Sequence, residues 1–102
     1  MKQVPVYLSA QAEEDLEGIA DFIFERSRET RIALGFVQRI HRRCLKIGMA
    51  PAGGAPRPDF GKNIRLVPFE KSAVILYTYE GDEVEIVAVF YGGQDYAAAM
   101  IE

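Results

Sequence analysis

The sequence predicts an α+β fold in which a helical hairpin packs on one face of an antiparallel sheet. Two segments in the first half carry apolar residues at helical spacing, and three later segments are rich in β-branched and aromatic residues. A short strand-like stretch precedes them all. The predicted order is therefore β-α-α-β-β-β, and the 102 residues suffice for a single domain spanning 1–102.

The opening KQVPVYLS alternates apolar and polar residues, which predicts a short strand, and Pro5 places it at a sheet edge. Ser9 stands at the N-cap position of a first helix that ends near Ser27. Acidic residues follow the cap, where the helix dipole favours negative charge. The predicted buried stripe of this helix consists of Ala12, Leu16, Ile19, Ala20 and Ile23.

A second helix is predicted to begin at a Thr30 cap and to end before Gly48. Only a few residues separate the two helices, so they are expected to pack as an antiparallel hairpin. The apolar stripe of the second helix consists of Ala33, Phe36, Val37, Ile40, Cys44 and Ile47.

The segment PAGGAPRPDFGKN predicts a loop because proline and glycine recur in it at close intervals. Three strands follow, IRLVPF, SAVILYTYE and EVEIVAVFY, and Gly81-Asp82 predicts a two-residue hairpin between the last two. Those two strands are apolar on both alternations near their middles, so we expect them at the centre of the sheet.

Charge is strongly segregated along a chain whose net charge is -3. Residues 26–46 carry six arginines and one lysine against one acidic residue, whereas the segments on either side are acidic. Such a basic band suits an acidic protein segment. Because the chain as a whole is acidic, we expect no direct sequence-specific binding of nucleic acid.

Several classes of site are not expected. Cys44 is the single cysteine and His41 the single histidine, so we predict no disulfide, no metal site and no cofactor. Cys44 is interpreted as a core residue. No apolar run reaches the length of a membrane span and the first residues lack a signal-peptide core, which predicts a cytoplasmic protein.

The stretches VYLSAQAEEDLEGIADFIFERS and GGAPRPDFGKNIRLVPFEKSAVILYTYEGDEVEIVAVFYGGQDY, with the spacing between them, resemble the ParE toxins of the RelE/ParE toxin-antitoxin superfamily. The likeness covers nearly the whole chain. It implies a RelE/ParE-like fold, a hetero-oligomer with a ParD-type antitoxin, and inhibition of DNA gyrase by the free toxin. The alternative within the superfamily is a ribosome-dependent mRNA endoribonuclease of RelE type.

The sequence departs from many relatives in the last strand and in the corner after it. They carry arginine in the strand and His or Arg in the corner, where this chain has Ala88, Tyr91 and Gln94. A RelE-type nuclease would be left with Arg65 to stabilise phosphate charge and with Tyr91 or Tyr77 as a general acid or base. We therefore predict a binding surface and no catalytic residues.

Two binding sets are predicted. Arginines of the basic band would hold antitoxin carboxylates in bidentate pairs, although a solvated helix face balanced by the acidic first helix is the structural alternative. The antitoxin set is Arg39, Arg42, Arg43, Tyr77 and Tyr79, and packing within the sheet is the preferred interpretation of Tyr77. The set for the target is Arg65, Tyr91, Gln94 and Tyr96. In the loop, Arg57 is expected to cap nearby carbonyls.

Overall fold

Two helices pack against one face of a five-stranded sheet in the computed structural model, which describes residues 3–92 and residue 100. The elements are β1 (Val6–Leu8), α1 (Ala10–Ser27), α2 (Thr30–Ile47), β2 (Ala55–Pro56), β3 (Ile64–Phe69), β4 (Ala73–Glu80) and β5 (Glu83–Tyr91). The strand order is β1-β5-β4-β3-β2, so β4 and β5 lie near the centre as predicted. The predicted α+β fold with a helical hairpin is confirmed.

The sheet is mixed, and in this respect the predicted antiparallel sheet was wrong. β1 runs parallel to β5, with Val6 opposite Val84 and Leu8 opposite Ile86, whereas all other neighbours are antiparallel. A strand of three residues carries no pattern that reveals its partner or its direction. The short strand β2 was also missed, because its two residues lie within a segment of loop composition.

Both helices have the predicted extent, but only one of the predicted caps is present. The Ser9 hydroxyl accepts a hydrogen bond from the Ala12 backbone N–H at 3.0 Å and so caps α1. Thr30 is the first residue of α2 rather than its cap, and Glu29 occupies the cap position without a side-chain hydrogen bond. The Ser27 hydroxyl instead accepts from the Glu29 N–H at 3.1 Å, which fixes the connection between the helices.

The main core lies between the helical hairpin and the sheet. Ala20 is the only member of the predicted α1 stripe that is not buried, and Val37 is the only such member in α2. Cys44 is fully buried, and burial raises the pKa of its thiol to about 12, which confirms it as a core residue. The sheet contributes Val67, Ala73, Ile75, Tyr77, Val84, Ile86 and Val89.

The β4–β5 hairpin closes through Gly81 and Asp82, both at positive φ (63° and 60°), as predicted for a tight turn. A bulge interrupts the pairing further along, because Leu76 faces Ala88 while Tyr77 faces Ile86. Val87 is therefore the extra residue, and it packs on the opposite face of the sheet in a second apolar cluster with Phe60, Ile64 and Leu76.

Beyond the end of β1, side chains of the α1 cap and of α1 provide hydrogen-bond partners for the backbone of β5. The Ser9 hydroxyl donates to the Val87 carbonyl at 3.0 Å, and the Asp15 carboxylate accepts from the Val89 N–H at 2.9 Å. Gln11 donates to the other oxygen of Asp15 at 2.8 Å. These contacts satisfy edge groups of β5 that would otherwise need a further strand.

Replacing Asp15 with alanine is expected to lower the free energy of unfolding by about 1–2 kcal/mol, because the Val89 N–H loses its charged acceptor. Replacing the exposed neighbour Glu14 removes the same charge from the same helical turn and is expected to change stability by less than about 0.5 kcal/mol. Chemical denaturation of both variants measures the difference, and equal stability of the two would contradict the role of Asp15.

Candidate binding surfaces

The three predicted antitoxin-binding arginines lie on α2 but differ in their partners. Arg39 forms a bidentate ion pair with Glu70, in which Nε donates to Oε2 at 2.9 Å and Nη2 donates to Oε1 at 3.0 Å. Its guanidinium also lies over the Phe36 ring, 5.3 Å from the centroid. Arg42 and Arg43 form no ion pair with any residue in the described part of the chain.

The ion pair connects α2 to the turn between β3 and β4. Hydrogen bonding to the Arg39 guanidinium lowers the pKa of Glu70, and the same hydrogen bond raises the pKa of Arg39. The ion pairs with acidic residues of α1 that the structural alternative would provide are absent from residues 3–92, where the only ion-pair partner of the band is Glu70.

Tyr77 is a structural residue in the isolated chain, in agreement with the preferred interpretation of its role. Its side chain is fully buried, its hydroxyl donates to the Pro51 carbonyl at 2.8 Å, and it accepts from the Gly54 N–H at 2.9 Å. We therefore do not propose a direct partner contact for it. Tyr79 is partly exposed and lines a shallow groove with Met49 and Pro51.

Arg65, like Tyr77, forms hydrogen bonds to the backbone of the loop at residues 51–54. Its Nη1 nitrogen donates to the carbonyls of Ala52 (3.0 Å) and Gly54 (2.8 Å). Arg57, which was predicted to cap loop carbonyls, pairs with Asp59 and stacks on Phe60, 3.9 Å from the ring centroid. Arg57 lies within the predicted loop and Arg65 lies two residues after it, so composition alone could not distinguish their roles.

Tyr91 is the last residue of β5 and faces Ala73, the first residue of β4. It belongs to an aromatic cluster at this end of the two strands. Its ring contacts those of Phe22 and Phe36 edge to face, with centroids 5.7 Å and 5.1 Å apart, and Phe36 contacts Phe69 in the same way at 5.7 Å. Arg26 lies over Phe22, 4.7 Å from its centroid. Gln94 and Tyr96, also predicted to contact the target, lie outside the described residues.

The described members of each predicted residue set are not brought together in one place. Arg65 faces Tyr77 in the register, whereas Tyr91 faces Ala73 four residues earlier in β4, so the two described members of the target set do not form one site. Tyr79 likewise lies near the end of β4 opposite to the turn that Arg39 contacts.

A groove between α1 and the end of β5 was not predicted. Its volume is about 380 Å³, and its lining includes Glu14, Asp15, Gly18, Phe22, Tyr91 and Gly92. No pattern in the sequence brings residues of the first helix to the last strand. Charge alone therefore could not have identified this groove.

Exposed apolar side chains lie within and just before the basic band, and the predicted buried stripes do not include them. Five of them on the two helices are between 39% and 49% exposed: Phe22, Phe24, Ile32, Leu34 and Leu45. Ile32, Arg39 and Arg43 recur at spacings of seven and four, which places them on one side of α2. Leu45 follows Arg42 by three residues and lies beside it. Apolar and cationic side chains therefore occur together on the solvent-accessible part of α2.

Two further findings, on metal binding and on membrane spans, apply to the residues that the structure describes. No group of three or more His, Cys, Asp or Glu side chains there is placed to hold a metal ion. Neither α1 nor α2 is apolar enough to cross a membrane.

A family profile and a solved structure resemble this chain. The profile described as "ParE toxin of type II toxin-antitoxin system, parDE" matches residues 6–96. A solved structure of a chromosomal ParDE toxin-antitoxin system from P. aeruginosa superposes with a TM-score of 0.74 at 21% identity, covering 88% of this chain and 97% of that one. Comparison with curated protein sequences gives no significant match.

Proposed function

Because the chain belongs to the ParE family of toxins of type II toxin-antitoxin systems, we propose that it inhibits DNA gyrase when free and is neutralised by a ParD-type antitoxin. The match covers most of the chain, and the structure of a ParDE system shares its fold. The observation that carries the proposal beyond the family is the outer surface of α2, where cationic and apolar groups are exposed together.

The proposed antitoxin site is this outer surface of α2. An acidic amphipathic segment would place apolar side chains on Ile32 and Leu45 and carboxylates on Arg42 and Arg43. The two arginines are suited to this because they have no ion-pair partner within residues 3–92. Arg39 remains a proposed contact on α2, where it must first release Glu70. Tyr79 on β4 remains a proposed contact beyond the C-terminal end of α2, in the groove that it lines with Met49.

The proposed gyrase contact is the aromatic end of the groove between α1 and β5. Phe22 is 42% exposed there, and Tyr91 and Gly92 line the same groove. Arg65 lies too far along the sheet to join this contact directly, so we assign it the role of holding the loop.

A non-enzymatic mechanism is proposed because the residues that RNA cleavage would need have structural contacts. Tyr77 is buried with both hydrogen bonds of its hydroxyl in use, and Arg65 donates to two loop carbonyls. Tyr91, the other candidate acid or base, lies in the aromatic cluster and away from Arg65. Cleavage would require these groups to converge on one phosphodiester.

Two assays on the purified chain test the proposal. We expect inhibition of supercoiling by gyrase in vitro, and we expect reversal of that inhibition when the antitoxin encoded by the neighbouring reading frame is added. Primer extension on translated messages is expected to show no codon-specific cuts. Cuts that disappear in an Arg65→Ala variant, together with unaffected gyrase, would favour the endoribonuclease instead. The proposed target also requires the protein to act in the cytoplasm.

A further inference from the structure

The Arg39 guanidinium is already oriented to bind a carboxylate. It offers Nε and Nη2 side by side, and both donate to the two oxygens of Glu70 at 2.9 Å and 3.0 Å. Contact with the face of the Phe36 ring restricts the plane of the guanidinium. A planar, bidentate site of this kind recognises a carboxylate by geometry as well as by charge.

The residue that occupies this site lies in a turn that its own side chain does not favour. Glu70 and Lys71 both have positive φ, at 47° and 59°, between Phe69 and Ala73, which face each other in the register. Glycine or asparagine adopts such angles more readily than glutamate or lysine. The sequence of this turn therefore places a carboxylate on Arg39 at some conformational cost.

The ion pair is accessible to a second molecule. The side chains of Arg39 and Glu70 are 47% and 43% exposed. Ile32, on the same side of α2, is exposed as well, and Arg43 lies one turn further along without an ion pair in the described part of the chain. An acidic segment that docks on α2 would thus reach Arg39 from solvent.

We infer that Arg39 is a carboxylate subsite of the antitoxin surface that Glu70 fills in the isolated chain. A carboxylate of the acidic antitoxin segment replaces Glu70 when the complex forms. The inference rests on the proposed function, since the antitoxin supplies the incoming carboxylate. Glu70 is then an internal competitor that lowers affinity for every acidic ligand, so that a segment needs its apolar contacts to displace it.

Glu70→Gln and Glu70→Asn test the exchange, with the neighbouring reading frame's antitoxin as the probe in titration calorimetry. Both variants remove the competing carboxylate, and asparagine also tolerates the positive φ of the turn. We expect both to bind the antitoxin about two- to fivefold more tightly than the unsubstituted chain, since the displaced pair is exposed. Glu83→Gln is the control, because it changes net charge equally at the other end of β4.

A double-substitution cycle shows whether the gain acts through Arg39. In an Arg39→Gln background, the substitutions at Glu70 are expected to give no gain beyond that of Glu83→Gln. Equal affinities of the Glu70 and Glu83 variants, weaker binding by the Glu70 variants, or a gain that persists without Arg39 would each overturn the exchange while leaving the antitoxin partnership intact. Failure of the unsubstituted chain to bind the antitoxin would overturn the proposed function itself.

Discussion

Replacing Gly54 with alanine is expected to lower the free energy of unfolding by about 2–3 kcal/mol, among the largest effects of any single-methyl addition to this chain. The new Cβ would lie 2.6 Å from the Tyr77 hydroxyl oxygen and 2.8 Å from its Cε1 atom. Tyr77 is fully buried, and its hydroxyl is held by Pro51 and by Gly54 itself, so the ring has no free direction in which to move. Thermal unfolding is expected at a temperature about 10 °C lower or more.

Gly18→Ala is the matched control for the loop substitution. A Cβ at this helical position would meet no atom within 4 Å, so alanine is expected to stabilise the protein by about 0.5–1 kcal/mol through its higher helix propensity. Tyr77→Phe separates the hydrogen bonds from the packing and is expected to cost about 1–2 kcal/mol. Unfolding of Gly54→Ala at the temperature of the unsubstituted protein would contradict the close approach of loop and strand.

The two helices and the turn between the last two strands could be predicted from local patterns in the sequence. The apolar spacing in α1 and α2 gave helices of the observed extent, and Gly81-Asp82 gave the turn, because helices and tight turns are determined by residues close together in the chain. The direction of β1 depends on pairing with residues 84–86, nearly eighty positions away, and three residues offer no register signal for it.

The same distinction applies to the candidate sites. The distribution of charged residues in the sequence reveals the basic band at residues 26–46. The pairing of Arg39 with Glu70, however, spans 31 positions and follows only from the tertiary fold. The sequence suggests a functional role for Arg65 and Tyr77 because a guanidinium can stabilise phosphate charge and a phenol can transfer a proton. The structure shows that both hold the loop at residues 51–54, which also explains why a glycine occupies position 54.

Reversing the charge of Arg42 is expected to weaken binding of the antitoxin by about tenfold or more at low salt. Arg42 is exposed beside Leu45 and has no ion-pair partner within residues 3–92, so the substitution removes an attractive group without breaking an internal contact. Most of the loss is expected in the association rate, because exposed charges act by steering the encounter. Stopped-flow mixing of Arg42→Glu with the antitoxin at several salt concentrations measures this rate.

Lys62→Glu makes the same change in net charge elsewhere on the surface and is the control. Lys62 is exposed and precedes β3, at the end opposite to the turn that Arg39 contacts, so a proposed site on α2 predicts little effect there. Added salt is expected to lower the association rate of the unsubstituted chain more than that of the Arg42→Glu variant, because salt screens an attraction that the variant already lacks. If both variants associate equally slowly, only the overall charge of the toxin matters and α2 is not the antitoxin site.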